Sequence, residues 1–386
     1  MSVQASRALS GAHDAAPNAV DFDVHGLVGI RIVDAKRGDV GRVQRQLGLA
    51  PSALDGEADI TVRFVDRLAL SRPLRYLGLE EIGFTEEAFV VLRSKHKSRA
   101  RVQIPFDRIG RPCEIVCERG LAAVPLLVPI LNLTALGKGV LPLHAAAFTF
   151  RGVGVLATGW SKGGKTETLL AFMQHGAEYV GDEWVYVSRE GKRTWGLPEP
   201  IRVWRWHLDS VPDLTKRISR ADQARLGMLR QIDRGAAWLA ESSRSRQFSR
   251  LARRASPLLR KQQCVDVEPE RLFGAAQCAG VGTLDRLLFV SSHASDEVAV
   301  ERIDAGEVAR RMLFSLQEEQ RVLMSFYRRF RFAFPERENP VLERVEQAQR
   351  RALEEALAHH TESYELRHPY PVPLEQLFDA VVRHCL

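Results

Sequence analysis

The sequence predicts a mixed α/β protein built in two parts, residues 19–140 and residues 141–386. Short apolar or alternating runs indicate strands along most of the 386-residue chain. Longer runs with apolar residues at helical spacing separate these strands, which is the pattern of α/β folds. After residue 140 the chain changes character, because two strongly apolar strands come in succession and lead into a glycine-rich loop.

The first part reads as an α+β unit. Residues 1–18 are rich in Ala and Ser and are expected to be disordered. A helix is predicted at Gly38–Leu49. The strands predicted here share short alternating patterns: Gly29–Val33, Ile60–Phe64, Arg101–Ile104 and Glu114–Cys117. No residue pattern in this part carries a chemical signature.

The second part opens with the elements that matter most for function. Just before it, at the end of the first part, Leu121–Leu136 is apolar enough for a buried helix. The second part then begins with strands predicted at Leu143–Phe150 and Gly152–Thr158. A helix over Lys165–His175 follows, with Gly176 as its stop. Glu178–Gly181 and Trp184–Ser188 are predicted as a strand pair or as one bent strand. Later strands are predicted at Ile201–Trp204, Leu284–Val290 and Tyr364–Leu366. Later helices are predicted at Ala221–Arg260, Ala305–Ser315, Glu318–Phe332, Val341–His359 and Leu374–His384.

The loop between the second strand and the helix matches a phosphate-binding motif. Gly159-Trp-Ser-Lys-Gly-Gly164-Lys165-Thr166 fits G-x-x-x-x-G-K-[ST]. Glycines let successive backbone N–H groups point at one anion, and the helix that follows presents its positive end to the same anion. The motif therefore predicts binding of ATP and Mg²⁺. The candidate nucleotide-binding residues are Gly159, Ser161, Lys162, Gly163, Gly164, Lys165, Thr166 and Glu167.

Composition excludes a membrane-spanning or secreted disulfide protein. The longest apolar run, Gly120–Leu133, is interrupted by Pro125 and Pro129 and is shorter than the roughly 20 residues that span a bilayer. The five cysteines fit a reducing compartment, and Cys113 and Cys117 fall on one face of a predicted strand, as core residues do. The sequence therefore predicts a cytoplasmic protein.

The net charge of +7 is concentrated in one segment. Lys216–Lys261 carries thirteen Lys or Arg residues against three acidic ones. This basic helical insertion, at about 212–262, suits an acidic partner such as an acidic peptide, nucleic acid or a lipid surface. The alternative is a solvated helical face without a partner.

The residues around the motif resemble the HPr kinase/phosphorylase family over Leu141–Ser188. His144 lies 21 residues before Lys165, Glu167 follows the Lys-Thr pair, and Asp182-Glu183 begins 17 residues after the lysine. Two positions depart from the family pattern: Lys162 replaces a loop glycine, and Asp182-Glu183 replaces a pair of aspartates. The Arg-Gly-Leu-Gly stretch of true HPr kinases is absent from the sequence.

The resemblance implies a fold and a chemistry. The fold is the mixed-sheet P-loop domain that HPr kinases share with phosphoenolpyruvate carboxykinases. The activity is transfer of the γ-phosphoryl group of ATP to a hydroxyl, favouring Ser or Thr of a protein or precursor peptide over a small molecule. Asp182 would act as base with His144 and Lys165 as catalytic residues, and Thr166 and Glu183 would bind magnesium. A homo-oligomer is also implied.

Two other interpretations stay open at this stage. The chain would be a nucleotide-binding regulatory or assembly module without transfer chemistry, or a nucleic-acid-associated ATPase that uses the basic segment. Individual residues also have structural explanations. His144 would be a core residue of an apolar strand, Asp182-Glu183 a turn after Gly181, and Glu167 a first-turn acid that complements the helix dipole.

Overall fold

The computed structural model describes residues 19–69, 74–77, 82–85, 89–92, 102–242 and 262–386. Two sequence predictions fall outside these ranges: the disordered start at 1–18 and the end of the basic segment at 243–261. Within the described residues the chain forms two large sheets with helices packed on them.

The first sheet contains eight described strands, in the order β1-β2-β3-β8-β7-β6-β5-β4. They are β1 (Ala19–Val24), β2 (Val28–Val33), β3 (Ile60–Val65), β4 (Arg75–Tyr76), β5 (Ile82–Thr85), β6 (Phe89–Leu92), β7 (Val102–Pro105) and β8 (Cys113–Glu118). The pairs β2–β3 and β3–β8 are parallel, and the other pairs are antiparallel. Helix α1 (Arg37–Leu47) makes the crossover that the parallel pair β2–β3 requires.

Alternating burial explains why these segments are strands. Residues of β2 and β3 alternate between buried and half-buried along their length, as expected for strands with one face in a core. Cys113 and Cys117 are buried on one face of β8, and burial raises the pKa of each thiol to about 12. The prediction that these cysteines are core residues is confirmed.

The second sheet is mixed and carries the loop motif. Eight strands follow the order β16-β13-β12-β9-β10-β17-β19-β18, and β11 pairs with β9 beside them. The strands are β9 (Leu141–Phe150), β10 (Val153–Thr158), β11 (Glu178–Gly181), β12 (Trp184–Val187), β13 (Arg193–Gly196), β16 (Val281–Thr283), β17 (Arg286–Ser292), β18 (Ala299–Arg302) and β19 (Ser363–His368). Strands β10, β17 and β19 are parallel to one another, whereas β9–β10 is antiparallel. The predicted mixed α/β architecture is therefore confirmed.

A two-stranded sheet and a series of helices complete the described structure. Strands β14 (Ile201–Trp204) and β15 (Cys264–Val267) pair antiparallel. The helices after α1 are α2 (Leu127–Gly137), α3 (Lys165–Met173), α4 (Arg205–Ser210), α5 (Pro212–Arg217), α6 (Arg220–Ser242), α7 (Pro269–Phe273), α8 (Ala305–Glu319), α9 (Arg321–Ala333), α10 (Pro340–Glu343), α11 (Val345–Leu357) and α12 (Leu374–Cys385). Among the described residues, none of the helices combines the length and the apolar character that a membrane span requires.

Two predicted helices are divided in the structure. The helix predicted over Glu318–Phe332 begins only at Arg321, because Gln320 separates α8 from α9. The helix predicted over Val341–His359 is split into α10 and α11 at Arg344. The first division matters for function, because it leaves Glu319 at the C-terminal end of α8.

Each sheet has its own core, but the C-terminal helices serve both. Leu323, Tyr327 and Phe330 of α9 pack into the core of the first sheet. Phe106 stacks on Phe330 with ring centroids 5.6 Å apart. The two parts of the chain are therefore joined by packing as well as by α2.

Helix α3 is the buried centre of the second part. Eight of its nine residues are buried, and Phe172 stacks on Phe148 of β9 with ring centroids 4.6 Å apart. The loop between β10 and α3 is thus fixed at both ends by core elements. The sequence pattern predicted both neighbours within two residues of their observed bounds.

Candidate functional site

Two glycines of the loop at 159–164 have positive φ values. Gly159 has a φ of 151° and Gly164 a φ of 107°, values that favour glycine. A Cβ atom on Gly159 would lie 2.3 Å from the carbonyl oxygen of Val290, and one on Gly164 only 2.0 Å from Nε2 of His368. These two glycines are therefore required both by conformation and by space.

His368, the last residue of β19, supports the loop. It is fully buried, and its Nε2 lies 2.9 Å from the carbonyl oxygen of Gly163. Its Nδ1 lies 2.7 Å from the carbonyl oxygen of Pro369. Sequence reasoning missed this residue, because 205 positions separate it from Gly163 and only the parallel pairing of β10, β17 and β19 brings the two together.

Lys165 starts α3 and points its ammonium group back at the loop. Its Nζ lies 2.9 Å from the carbonyl oxygen of Trp160 and 3.3 Å from that of Gly159. Burial lowers the pKa of Lys165, and the nearby carboxylates of Asp182 and Glu183 oppose this effect. The ammonium group is thus a buried charge held by carbonyls, and phosphate oxygens are stronger partners for it.

Thr166 and Asp182 form the second contact of the site. Asp182 follows β11 directly, and Oγ1 of Thr166 donates to its Oδ2 over 3.0 Å. Burial raises the pKa of Asp182 to about 7, with Glu183 contributing in the same direction and Thr166 against it. The ionised form of such a buried carboxyl group is unfavourable, and a nearby cation would stabilise it.

His144 lies between two carboxylates. Its Nε2 is 3.0 Å from Oε2 of Glu183, and its Nδ1 is 2.6 Å from Oε1 of Glu319. Burial opposes a charged ring, but the hydrogen bonds with Glu183 and Glu319 outweigh it and raise the pKa of His144 to about 9. The same contact with His144, against the cost of burial, holds the pKa of Glu183 below its usual range.

The two adjacent acids therefore have different partners. The sequence-based assignment paired Glu183 with Thr166 and placed His144 near Asp182, but the structure brings Asp182 to Thr166 and Glu183 to His144. The two acids lie in the short turn between β11 and β12, where Glu183 has a φ of 64°. Strand β12 then starts at Trp184, which pairs directly with His144.

Glu167 has a structural partner that the sequence did not predict. It is buried, and its Oε1 lies 3.1 Å from Nε2 of His207 in α4. Nδ1 of His207 accepts from the N–H group of Trp204 over 3.1 Å, so Nε2 carries the proton and donates to Glu167. This bond ties α4 to the first turn of α3.

A cavity of about 350 Å³ opens at the mouth of the loop. This volume is within the range of small-molecule sites. Its walls bring together most of the predicted site residues with several that were not predicted. They are His144, Ser161, Lys162, Gly164, Lys165, Thr166, Glu167, Glu183, Arg202, Trp204, Trp206, His207 and Tyr370. Asp182 reaches this cavity only through its contact with Thr166.

Two arginines near the motif differ in their position. Arg202 lines the cavity and is ion-paired with Asp266 at 3.0 Å. Arg205 pairs with Asp209 at 3.0 Å and lines a neighbouring cavity instead. Within the described part of the basic segment, no residue lines the cavity at the loop.

The carboxylates do not form a self-sufficient metal centre. Among the described residues, no group of three or more His, Cys, Asp or Glu side chains is arranged to hold a metal ion. Magnesium at nucleotide sites commonly takes only one or two protein ligands, with phosphate oxygens and water as the rest. Thr166 and Asp182 fit that donor set.

Comparison with known proteins adds no family. No protein-family model matches the chain, and the search of curated proteins finds no match. The geometry of the site and the residues that carry the resemblance are therefore the basis for a functional assignment.

Proposed function

We propose that the chain binds ATP and magnesium at Gly159–Thr166 and transfers the γ-phosphoryl group to a hydroxyl, as HPr kinases do. The favoured acceptor is a Ser or Thr of a protein or precursor peptide. The observation that carries the proposal is that one cavity is lined by Lys165 and Thr166 and by the His144–Glu183 pair. The proposed fold is accordingly the mixed-sheet nucleotide domain that HPr kinases share with phosphoenolpyruvate carboxykinases.

The phosphate end of the site rests on three residues. Lys165 would exchange its bonds with the carbonyls of Gly159 and Trp160 for bonds with the β- and γ-phosphates. Thr166 and Asp182 would hold the magnesium ion, because the buried carboxyl group of Asp182 has a raised pKa and gains most from a cation. When bound, the ion would neutralise charge on the β- and γ-phosphates.

The acceptor end rests on Glu183 and His144. The side chain of Glu183 is 44% exposed, lines the cavity, and is ionised because His144 holds its pKa low. It can orient an acceptor hydroxyl and take its proton while the hydroxyl oxygen forms a bond to the γ-phosphorus and the bond to the β–γ bridging oxygen breaks, releasing ADP. Asp182, bound by Thr166, is less available for this role than the sequence suggested.

His144 and Glu319 would support that end electrostatically. A protonated ring beside Glu183 fixes the orientation of the carboxylate and adds positive charge next to the transferring group. Glu319 holds the other ring nitrogen and keeps the ring charged. Lys165 and the protonated ring of His144 would then place two positive charges beside the carboxylate of Glu183.

The proposal is tested by separating binding from transfer. Isothermal titration calorimetry measures ATP affinity with magnesium for the wild type, Lys165→Ala, Glu183→Gln and the exposed control Lys192→Ala. ADP formation is measured with water alone and with a panel of Ser- and Thr-containing peptides. Lys165→Ala should weaken ATP binding at least tenfold, because its charge serves the phosphates. Glu183→Gln should bind ATP within about twofold of the wild type while ADP formation falls by about 10²- to 10⁴-fold.

Binding without chemistry is the outcome that would refute the transfer proposal. If the wild type binds Mg-ATP but forms ADP no faster than Glu183→Gln under every condition, the chain is a nucleotide-binding module. If neither the wild type nor Lys192→Ala binds ATP, the nucleotide proposal itself fails.

A further inference from the structure

Three aromatic side chains line the same cavity as the phosphate-binding residues. They are Trp206, His207 and Tyr370, which lie beside Thr166 and Glu167 and are called the aromatic corner below. The rings of Trp206 and Tyr370 meet edge to face, with centroids 5.5 Å apart and planes 80° apart. The rings of Trp206 and His207 are 3.9 Å apart at 60°. None of these rings is explained by the phosphoryl chemistry.

The corner leaves aromatic surface uncovered. Tyr370 is 48% exposed, and Trp206 is only half-buried. Because the two planes are nearly perpendicular, the edge of one ring leaves part of the other ring's face without an aromatic partner. A flat ring from a ligand gains stacking energy on such a face.

The corner is held rigidly against the phosphate helix. His207 is buried and donates from Nε2 to Glu167 in the first turn of α3, over 3.1 Å. Its Nδ1 is held by the backbone of Trp204. Trp206 is its neighbour in α4, so the backbone of Trp206 is connected through His207 to the helix that begins at Lys165. A site fixed in advance loses little entropy when it binds a ring.

The corner and the acceptor end of the site are separate groups. Among the described residues, no hydrogen bond, ion pair or ring contact joins the corner to His144, Glu183 or Glu319. The corner instead contacts α3 through Glu167, one residue beyond the threonine assigned to magnesium. In a nucleoside triphosphate the base is at the opposite end from the γ-phosphate, so an aromatic base and an acceptor need two separate regions.

We infer that the aromatic corner stacks the base of the bound nucleotide, with Trp206 and Tyr370 as the residues that distinguish a nucleotide from inorganic polyphosphate. This inference rests on the proposed function. It deepens that function by naming the residues that select a nucleotide, since a phosphate loop alone accepts any polyphosphate, whereas this cavity selects one that carries an aromatic base.

Tripolyphosphate separates the base from the phosphates. It offers the same chain of three phosphates as ATP and has no ring to stack. Calorimetry with magnesium measures the affinities of the wild type, Trp206→Ala and Tyr370→Leu for ATP and for tripolyphosphate. Phe332→Leu is the matched control, because Phe332 is 79% exposed and lies on α9 outside the cavity. Trp206→Phe tests whether another aromatic face is sufficient.

Trp206→Ala should weaken ATP binding about tenfold or more and leave tripolyphosphate binding within about twofold of the wild type. Tyr370→Leu should act in the same direction, while Trp206→Phe and Phe332→Leu should leave both affinities nearly unchanged. Unchanged tripolyphosphate binding also shows that the variant is folded. If Trp206→Ala does not fold, the inference is tested by the affinities of Tyr370→Leu and by the preference of the wild type for ATP over tripolyphosphate.

Three results would overturn the inference. Equal affinity of the wild type for ATP and tripolyphosphate would refute a base site. Parallel losses of both affinities in Trp206→Ala and Tyr370→Leu would assign the rings to the fold alone. Unchanged ATP affinity in both Trp206→Ala and Tyr370→Leu would exclude these rings from the base site. Absence of binding to either ligand by the wild type would instead mean that the proposed function has failed.

Discussion

Nδ1 of His144 lies 2.6 Å from Oε1 of Glu319, a residue 175 positions further along the chain. On the other side of the ring, Nε2 lies 3.0 Å from Glu183. Carboxylates accept hydrogen bonds, so both ring nitrogens must donate, and only the protonated ring has two donors. The two contacts therefore indicate a charged imidazole in the cavity wall. The pKa of His144, raised to about 9, indicates the same.

Replacing Glu319 by Gln should lower the pKa of His144 from about 9 toward its ordinary value of 6.5. The substitution removes one of the two carboxylates that favour the charged ring and leaves burial, which opposes it. The measurement is an NMR titration of the imidazole Cε1–H resonance. Glu318→Gln is the control, since Glu318 pairs with Arg321 at 3.0 Å and has no contact with the ring. Equal pKa values of His144 in the two variants would contradict the assigned role of Glu319.

Asp182→Asn should stabilise the protein above neutral pH while abolishing phosphoryl transfer. The pKa of Asp182 is raised from 3.8 to about 7 in the fold, so the folded state binds this proton more tightly than the unfolded state. Its stabilising contribution is complete below about pH 4 and is lost as the pH rises through 7. At pH 8 the buried carboxylate is ionised and costs roughly 2–4 kcal/mol, which a neutral amide avoids.

Urea unfolding at pH 5 and pH 8, without nucleotide or magnesium, checks this expectation. The free energy of unfolding of Asp182→Asn should exceed that of the wild type at pH 8, and the difference should shrink at pH 5. The exposed residue Asp296 gives the control variant Asp296→Asn, which should follow the wild type at both values. A destabilised Asp182→Asn at pH 8 would mean that the carboxylate is already compensated in the fold.

The loop at 159–164 and its neighbours were predictable because they are local. Strand β10, the loop and α3 are consecutive in sequence, and their apolar pattern and glycines are enough to place Lys165 and Thr166 at a helix start. His144 within β9 and Asp182 after β11 were also found, through spacing that resembles a known family. All of these residues converge on one region of the structure.

Other parts of the site were beyond sequence reasoning because they depend on long-range packing or on one dihedral angle. His207, His368 and Glu319 approach the site only after α4, β19 and α8 have packed. The different partners of Asp182 and Glu183 are set in the turn between β11 and β12, where Glu183 has a positive φ that an acidic dipeptide after Gly181 does not reveal. Glu319 was hidden further, since the prediction placed it in the first turn of a helix over Glu318–Phe332, whereas it is the last residue of α8.

Gly164→Ala should destabilise the protein more than Gly152→Ala and should abolish ATP binding. Both glycines have positive φ values, 107° and 83°, so each alanine costs about 1–2 kcal/mol from conformation alone. A Cβ atom added to Gly152 would meet no atom of the described residues within 4 Å beyond its chain neighbours, whereas one added to Gly164 would be 2.0 Å from Nε2 of His368. The clash should add roughly 1–3 kcal/mol and displace the loop.

Urea unfolding and ATP calorimetry on the two variants test this difference. The double substitution Gly164→Ala with His368→Ala should recover part of the stability, because it removes the imidazole of His368, with which the new Cβ atom clashes. Equal destabilisation by Gly164→Ala and Gly152→Ala would show that the side chain of His368 can move away from the new Cβ atom at little cost and does not fix the loop.

Lys162→Gly should be tolerated, whereas Lys162→Val should not. Lys162 is exposed and has a φ of 64°, a conformation that costs a residue with a Cβ atom about 1–2 kcal/mol. Glycine removes that cost but adds freedom to the unfolded chain, so the free energy of unfolding should stay equal or rise by up to ~1 kcal/mol. Valine is β-branched and therefore especially unfavourable at a positive φ. Lys162→Val should lower the free energy of unfolding by about 1–2 kcal/mol.

ATP affinity of the same variants shows what the lysine adds to a position where HPr kinases carry glycine. Lys162 lines the cavity, but it is exposed to solvent, so its charge is screened and its loss should weaken ATP binding much less than Lys165→Ala does. Calorimetry should show the highest ATP affinity for the wild type, a slightly lower affinity for Lys162→Gly and the lowest affinity for Lys165→Ala. A tenfold or larger loss in Lys162→Gly would place this side chain among the phosphate ligands and would make the departure from glycine a functional one.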